Sequence, residues 1–240
     1  MHFHLPKPLH GWREFVGEVG IIVLGVLIAL GAEQALEGVH DRHVAAQSRR
    51  DVREEVSTDV GFYRNRLIES SCIASRLSEL SKIVESGIIP RGSVTWVGRP
   101  NDFAPFTERW RAVTSSARTT MFPATEQGRL DAVYGIFERM DLESQTEQDA
   151  WTSLDVMEGL NGPIDASTRV LLLRAIQQAR HTDDILQIAG FYALYHARKL
   201  GIRSNPATSP HLGDAHSVCL ALSTSPGQAA KLLRLRTPID

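Results

Sequence analysis

Charged side chains are missing from one stretch of this chain, Val19 to Ala32, VGIIVLGVLIALGA, which lies between Glu18 and Glu33. Elsewhere the shortages are of other kinds, and each excludes something. Neither sign of charge dominates, with 26 Lys and Arg against 28 Asp and Glu and a net charge of −2, so nothing marks nucleic acid as a partner. Cysteine is scarce: Cys72 and Cys219 are far apart and in no CxxC spacing, which disfavours a zinc or thioredoxin-type site. Two readings of that pair stay open. In an oxidising compartment they join, closing a loop that the chain-entropy model values at about 5 kcal/mol, or they are two separate buried thiols. The chain also lacks G-x-S-x-G, a phosphate loop, a Rossmann glycine pattern and H-E-x-x-H, which counts against the common enzyme classes. An enzyme whose residues converge from separate helices is not excluded. No catalytic, cofactor-binding or metal-ligating residue is assigned.

What is present starts with that uncharged run. Fourteen residues rise about 21 Å as a helix, short of the roughly 30 Å of a bilayer core. Extending the segment to 15–36 gives about 22 residues and sets Glu18 and Glu33 at the two head-group layers, where a carboxylate can reach water or hold a proton. A retained anchor is the preferred reading. A cleaved signal peptide ending near Ala29-Leu30-Gly31 and a core or peripheral helix are the competitors. On a helical wheel Glu18, Ile22, Gly25, Ala29 and Ala32 share one stripe, and the small-xxx-small pair Gly25 and Ala29 admits another helix at close range. This stripe is the candidate interface for a second copy or another membrane protein.

Residues 1–14 read as a cytoplasmic tail with Lys7, Arg13 and an interfacial Trp12, while the far flank Glu33 to Asp41 carries no Lys or Arg. That favours the N-terminus inside and the following domain in the periplasm of a bacterium. From Gln34 to Ile88 there is no proline, and Val52, Val56, Val60, Tyr63, Leu67, Ala74, Leu77 and Val84 form an amphipathic seam, so one long helix is expected. Residues 88–107, with three prolines, read as a long loop, a lid if the domain binds a ligand. SVTWV within it, lacking an evident partner, makes no sheet. Helices are expected from Thr107, from Thr125 and from about Thr146 to Leu160. A last long one, Ala166 to Leu200, is capped by Asp165 and Gly201 and turns Val170, Leu173, Ile176, Ile185, Ile188, Tyr192 and Tyr195 inward. Residues 205–240 read as a loop followed by a short basic helix. His2 with His4, His40 with His43, His211 with Asp214 and His216, and His181 with Asp183 and Asp184 are loose polar groupings, better read as solvated surface than as metal sites.

The run from Glu18 to Leu30, EVGIIVLGVLIAL, followed by GAEQ, resembles the opening of an uncharacterised bacterial family of small single-span membrane proteins. The likeness covers the anchor and a turn or two beyond it. It implies a membrane anchor with a variable helical domain, and no activity or cofactor.

The expected fold is therefore all-α: an N-terminal single transmembrane helix (15–36) followed by an irregular antiparallel helical bundle (37–204). The expected role is that of a non-catalytic accessory or scaffold subunit of an inner-membrane assembly, with the lipid bilayer and a membrane-protein partner or homo-oligomer as its contacts. A sensor receptor is disfavoured, since fourteen residues before the span leave no room for an output domain. The alternative is an anchored extracytoplasmic domain that binds a ligand or acts as an enzyme. A deep pocket with convergent polar groups would favour it.

Overall fold

The computed structural model describes residues 11–101, 104–116, 122–205, 217–225, 227–228 and 231. The fold is all-α. Its helices are α1 (Trp12–Ser86), α2 (Glu108–Ser115), α3 (Ala124–Leu154) and α4 (Ala166–Lys199), with one antiparallel pair of two-residue strands, β1 (Ile88–Ile89) and β2 (Gly162–Pro163). The chain divides into two compact units at residues 48 and 49. The first holds the candidate span, whose apolar window has a mean hydropathy of 2.4 and none of its residues buried. The second is a bundle of the remainder of α1 with α2, α3 and α4.

The absence of proline lets α1 continue to Ser86, where Gly87, at φ +74°, ends it with its N–H on the carbonyl of Val84. The last long helix starts where Asp165 accepts the N–H groups of Ser167 and Thr168, and it stops at Gly201, at φ +67°. Between Thr125 and Leu154 the sequence suggested two helices. The structure has one, because nothing from Asp141 to Gln145 breaks the backbone, and Leu142 simply faces out, 63% exposed. The short sheet is also a departure. It pairs Ile88 with Pro163 and Ile89 with Gly162, while Thr95 and Trp96 donate their N–H groups to a single carbonyl, that of Leu222.

Two apolar clusters fill the bundle. One takes Val52 to Tyr63 of α1, Trp110 of α2, Leu130 to Met140 of α3 and Leu186 to Ala197 of α4. The other takes Ile73 to Val84 of α1, Ala150 to Leu154 of α3 and Leu172 to Ala179 of α4. The clusters are met in the same order along α1 and α3 and in reverse along α4. α3 therefore runs parallel to α1, and α4 antiparallel to both.

α4 turns a different face inward from the one its large side chains suggest. Ile176 is fully buried, as its spacing suggests, together with Leu172 and Leu186, but Val170, Ile188, Tyr192 and Tyr195 are 47–60% exposed, and the rest of the buried apolar row is Ala175, Ala179, Gly190, Ala193 and Ala197. Small residues let backbones approach: a Cβ on Gly190 would sit 3.6 Å from Cβ of Tyr63. The seam on α1 is likewise displaced at Ala74, which is exposed, while Ile73 is fully buried.

The segment after α4 is tied to α1 by its backbone. Arg53 donates to the carbonyl of Leu200 at 2.8 Å, Ser57 donates to that of Arg203 at 2.6 Å, and the Asn205 N–H reaches Ser57 at 3.0 Å. Gly61 lies beneath, where a Cβ would stand 2.5 Å from the Asn205 carbonyl oxygen. Gly61→Ala must push this segment away and is expected to lower stability by about 1–3 kcal/mol, read from the denaturation midpoint of the full chain in mild detergent. An unchanged midpoint would mean that 200–205 yields freely.

Candidate functional site

Between the two apolar clusters lies a layer of polar side chains contributed by three helices. Arg66 of α1 donates through Nη2 to Glu147 Oε1 of α3 at 2.5 Å and to Asp183 Oδ1 of α4 at 2.7 Å. Gln187, one turn after Asp183, donates to its other oxygen at 2.8 Å. Glu69, one turn after Arg66, accepts the backbone N–H of Asn101 from the loop before α2. Glu69 and Glu147 are each 1% exposed.

One guanidinium thus meets three carboxyl groups, an excess of negative charge that a low-dielectric interior resists. Burial pushes Glu69 up to about 7, against the pull of Arg66 and the Asn101 N–H. Glu147 is also raised by burial, which outweighs the attraction of Arg66. Arg66 is held above its ordinary value by Glu147 first and then Asp183, although burial alone would lower it.

A cavity of about 30 Å³ adjoins this layer, lined by Phe62, Tyr63, Arg66, Glu69, Asn101 and Leu186 among others. It has room for roughly two water molecules and for no larger ligand. An open surface cleft of about 650 Å³ runs beside Val156 and Leu171, exposed side chains of the turn after α3 and of α4. What the layer can do is set helix register. A buried ion pair adds little net stability over apolar side chains, but Arg66 meets Glu147 and Asp183 together only while the three helices keep this register.

A second group of polar contacts gathers on the disulfide. Cys72 and Cys219 are bonded, with their Cα atoms 5.0 Å apart. Arg76, one turn after Cys72, is 3% exposed and donates to the carbonyls of Trp96, Val97 and Leu220. Glu158, from the 3₁₀ turn after α3, accepts the Val97 N–H at 2.6 Å. Disulfide and guanidinium together bind 217–222 and 94–97 to α1.

Of the residues singled out in the sequence, Glu18, Ile22, Gly25, Ala29 and Ala32 are exposed on α1 in the first unit. His40 and His43 are exposed too. His181 and Asp184 face solvent while Asp183, between them, is buried on Arg66. His2, His4, His211, Asp214 and His216 lie outside the described residues, as does most of the C-terminal basic stretch. Among the described residues no group of three or more His, Cys, Asp or Glu is placed to hold a metal ion. Sequence reasoning missed Glu55, Asp59, Arg66, Glu69 and Arg76, because it followed the apolar seam alone. The signal was there: these charges recur at three-, four- and seven-residue steps on the same side of α1 as Val52, Val56, Ile73 and Leu80.

The fold and these contacts define an all-α protein with, among the described residues, one candidate membrane-spanning helix and a disulfide-closed bundle crossed by an ionic layer. No protein-family model, curated protein or solved structure matches the chain.

Proposed function

We propose that this is a single-span inner-membrane protein of a bacterium, with its N-terminus in the cytoplasm and its bundle in the periplasm, serving as a non-catalytic accessory or scaffold subunit of a membrane assembly. The observation that carries this reading is the uncovered apolar run. Ile21, Ile22, Leu24, Leu27 and Ile28 are 59–74% exposed in the first unit, although the bundle completes its own core without them. Leaving the run in water forgoes on the order of 1 kcal/mol for each large side chain, so lipid or another helix is its fitting surroundings. The disulfide supports placing the bundle in an oxidising compartment. The interior, filled by Leu, Ile, Val and aromatic side chains around a water-sized cavity, supports a role without bound substrate.

Within the span, Glu18, Ile22, Gly25, Ala29 and Ala32 form the contact face for a second copy or a partner helix. The experiment is fractionation and cross-linking of the full chain from native membranes under mild detergent. The chain is expected to stay with the membranes through an alkaline wash, and Gly25→Leu is expected to reduce its cross-linked species several-fold. Recovery of the intact chain in the soluble fraction overturns the anchor. Unchanged cross-linking overturns the stripe. A cysteine introduced at Gln177, reacting with a membrane-impermeant maleimide in spheroplasts, tests the orientation.

A further inference from the structure

The short helix α2 is held on α1 in an unusual way. Its N-cap residue, Thr107, makes no side-chain capping bond. The cap comes from another helix: Glu55 of α1 accepts the Arg109 N–H on Oε2 at 3.1 Å and the Tyr134 hydroxyl of α3 on Oε1 at 2.7 Å. One turn further along α1, Asp59 accepts the Phe106 N–H on Oδ1 at 3.3 Å. Its Oδ2 is buried and has no hydrogen-bond partner.

Asp59 is 0% exposed and Glu55 is 6% exposed, so two carboxyl groups one turn apart share a buried interface. The titratable groups about Asp59 are Glu55 and Tyr63 of α1, Glu108 of α2 and Tyr134 of α3. The nearby cation, Arg109, is directed outward, to Glu54 and to the carbonyl of Asp51, each at 3.0 Å. Among the described residues no buried cation contacts Asp59. Two adjacent buried acids disfavour a second negative charge, and the carboxyl oxygen of Asp59 that no donor meets is the place for the proton. Accordingly Asp59 is pushed up to about 8, by burial first and then by Glu55 and Glu108, against the Phe106 N–H.

We propose that α2 is a proton-coupled flap, closed over α1 and α3 while Asp59 is protonated and opened with release of that one proton to solvent. Opening uncovers Trp110, which lies stacked on Tyr134 at 5.5 Å and edge-on to Phe122 at 5.6 Å. The coupling has a definite sign. In the open form Asp59 returns to its ordinary value of 3.8, so the open fraction rises up to about tenfold per pH unit from there until the closed form itself ionises at about 8, and then levels off.

The test is hydrogen–deuterium exchange of the full chain in detergent micelles between pH 5.5 and 9.5, corrected for the intrinsic exchange rate. Protection of residues 104–116 is expected to fall by up to about tenfold per pH unit and to flatten near pH 8. Peptides from the first half of α4 serve as the reference. Asp59→Asn is expected to remove the slope, and Glu108→Gln to bring the plateau to lower pH. Flat protection in the native chain overturns the proposal, and so does an undiminished slope in Asp59→Asn. Should that variant not fold, an unmoved plateau in Glu108→Gln overturns it instead.

Discussion

Arg66→Met is expected to lower the unfolding free energy by about 3–5 kcal/mol, because it strands Glu147 and Asp183 in the interior without the cation that both oxygens face. The loss comes from the partners left behind, since methionine fills the stem of arginine well. The contrast is therefore informative. Replacing Arg66, Glu69, Glu147 and Asp183 together with Met, Leu, Leu and Leu removes all four ionisable groups and is expected to restore most of the loss or exceed the native stability. Chemical denaturation of the full chain in mild detergent reads both. A loss below about 1 kcal/mol in the single variant would mean that water enters the layer and solvates the carboxylates, against a cavity of only about 30 Å³.

Reduction of the disulfide, or Cys72→Ser, is expected to be of similar size. The bond joins residues 147 apart, and a loop of that length corresponds to about 5 kcal/mol in the chain-entropy model, with 2–5 kcal/mol the usual measured range. The local effect is as specific as the global one. With the bond gone, the described contacts that still hold 217–222 are the Arg76 guanidinium, the Thr95 and Trp96 donations to Leu222, and the packing of Val218 and Leu222 on the cluster that contains Ile73 and Leu77. A reductant-dependent shift in the denaturation midpoint measures the first effect, and faster exchange at Thr95 and Trp96 measures the second. A shift under about 1 kcal/mol would show that these remaining contacts suffice to hold the segment.

Much of the helical outline was legible in the residues. An uninterrupted run without proline foretold α1, the pattern from Leu130 to Met140 foretold the inner face of α3, and Asp165 and Gly201 marked the ends of α4 through backbone chemistry that is local in sequence. What escaped was decided between helices. Beyond Leu186 the buried residues of α4 are Gly190, Ala193 and Ala197, which score as weakly apolar, while Phe191 and Tyr192 beside them stay 51–65% exposed. Close approach, and not side-chain size, chose that face. The ionic layer escaped for a related reason. Arg66 and Glu69 look like surface residues until Glu147 and Asp183, 81 and 117 residues later, supply their surroundings. The cap on α2 is the same case, since it is provided by a residue 54 positions earlier.

The parallel course of α1 and α3 has a further consequence, in time. Two helices that point the same way cannot form as a hairpin, so the chain must travel the length of the bundle before α3 can begin. The antiparallel partner of α1, which bonds it through Asp183 and Leu200, is 117 and 147 residues downstream of its contacts. α3 and α4, by contrast, are sequence neighbours and can pair early. The first third of the polypeptide therefore waits for the last. Meanwhile its row of valines from Val52 to Val60 stands open to any other apolar surface, and the ring-closing step waits until Cys219 arrives, 147 residues after its partner.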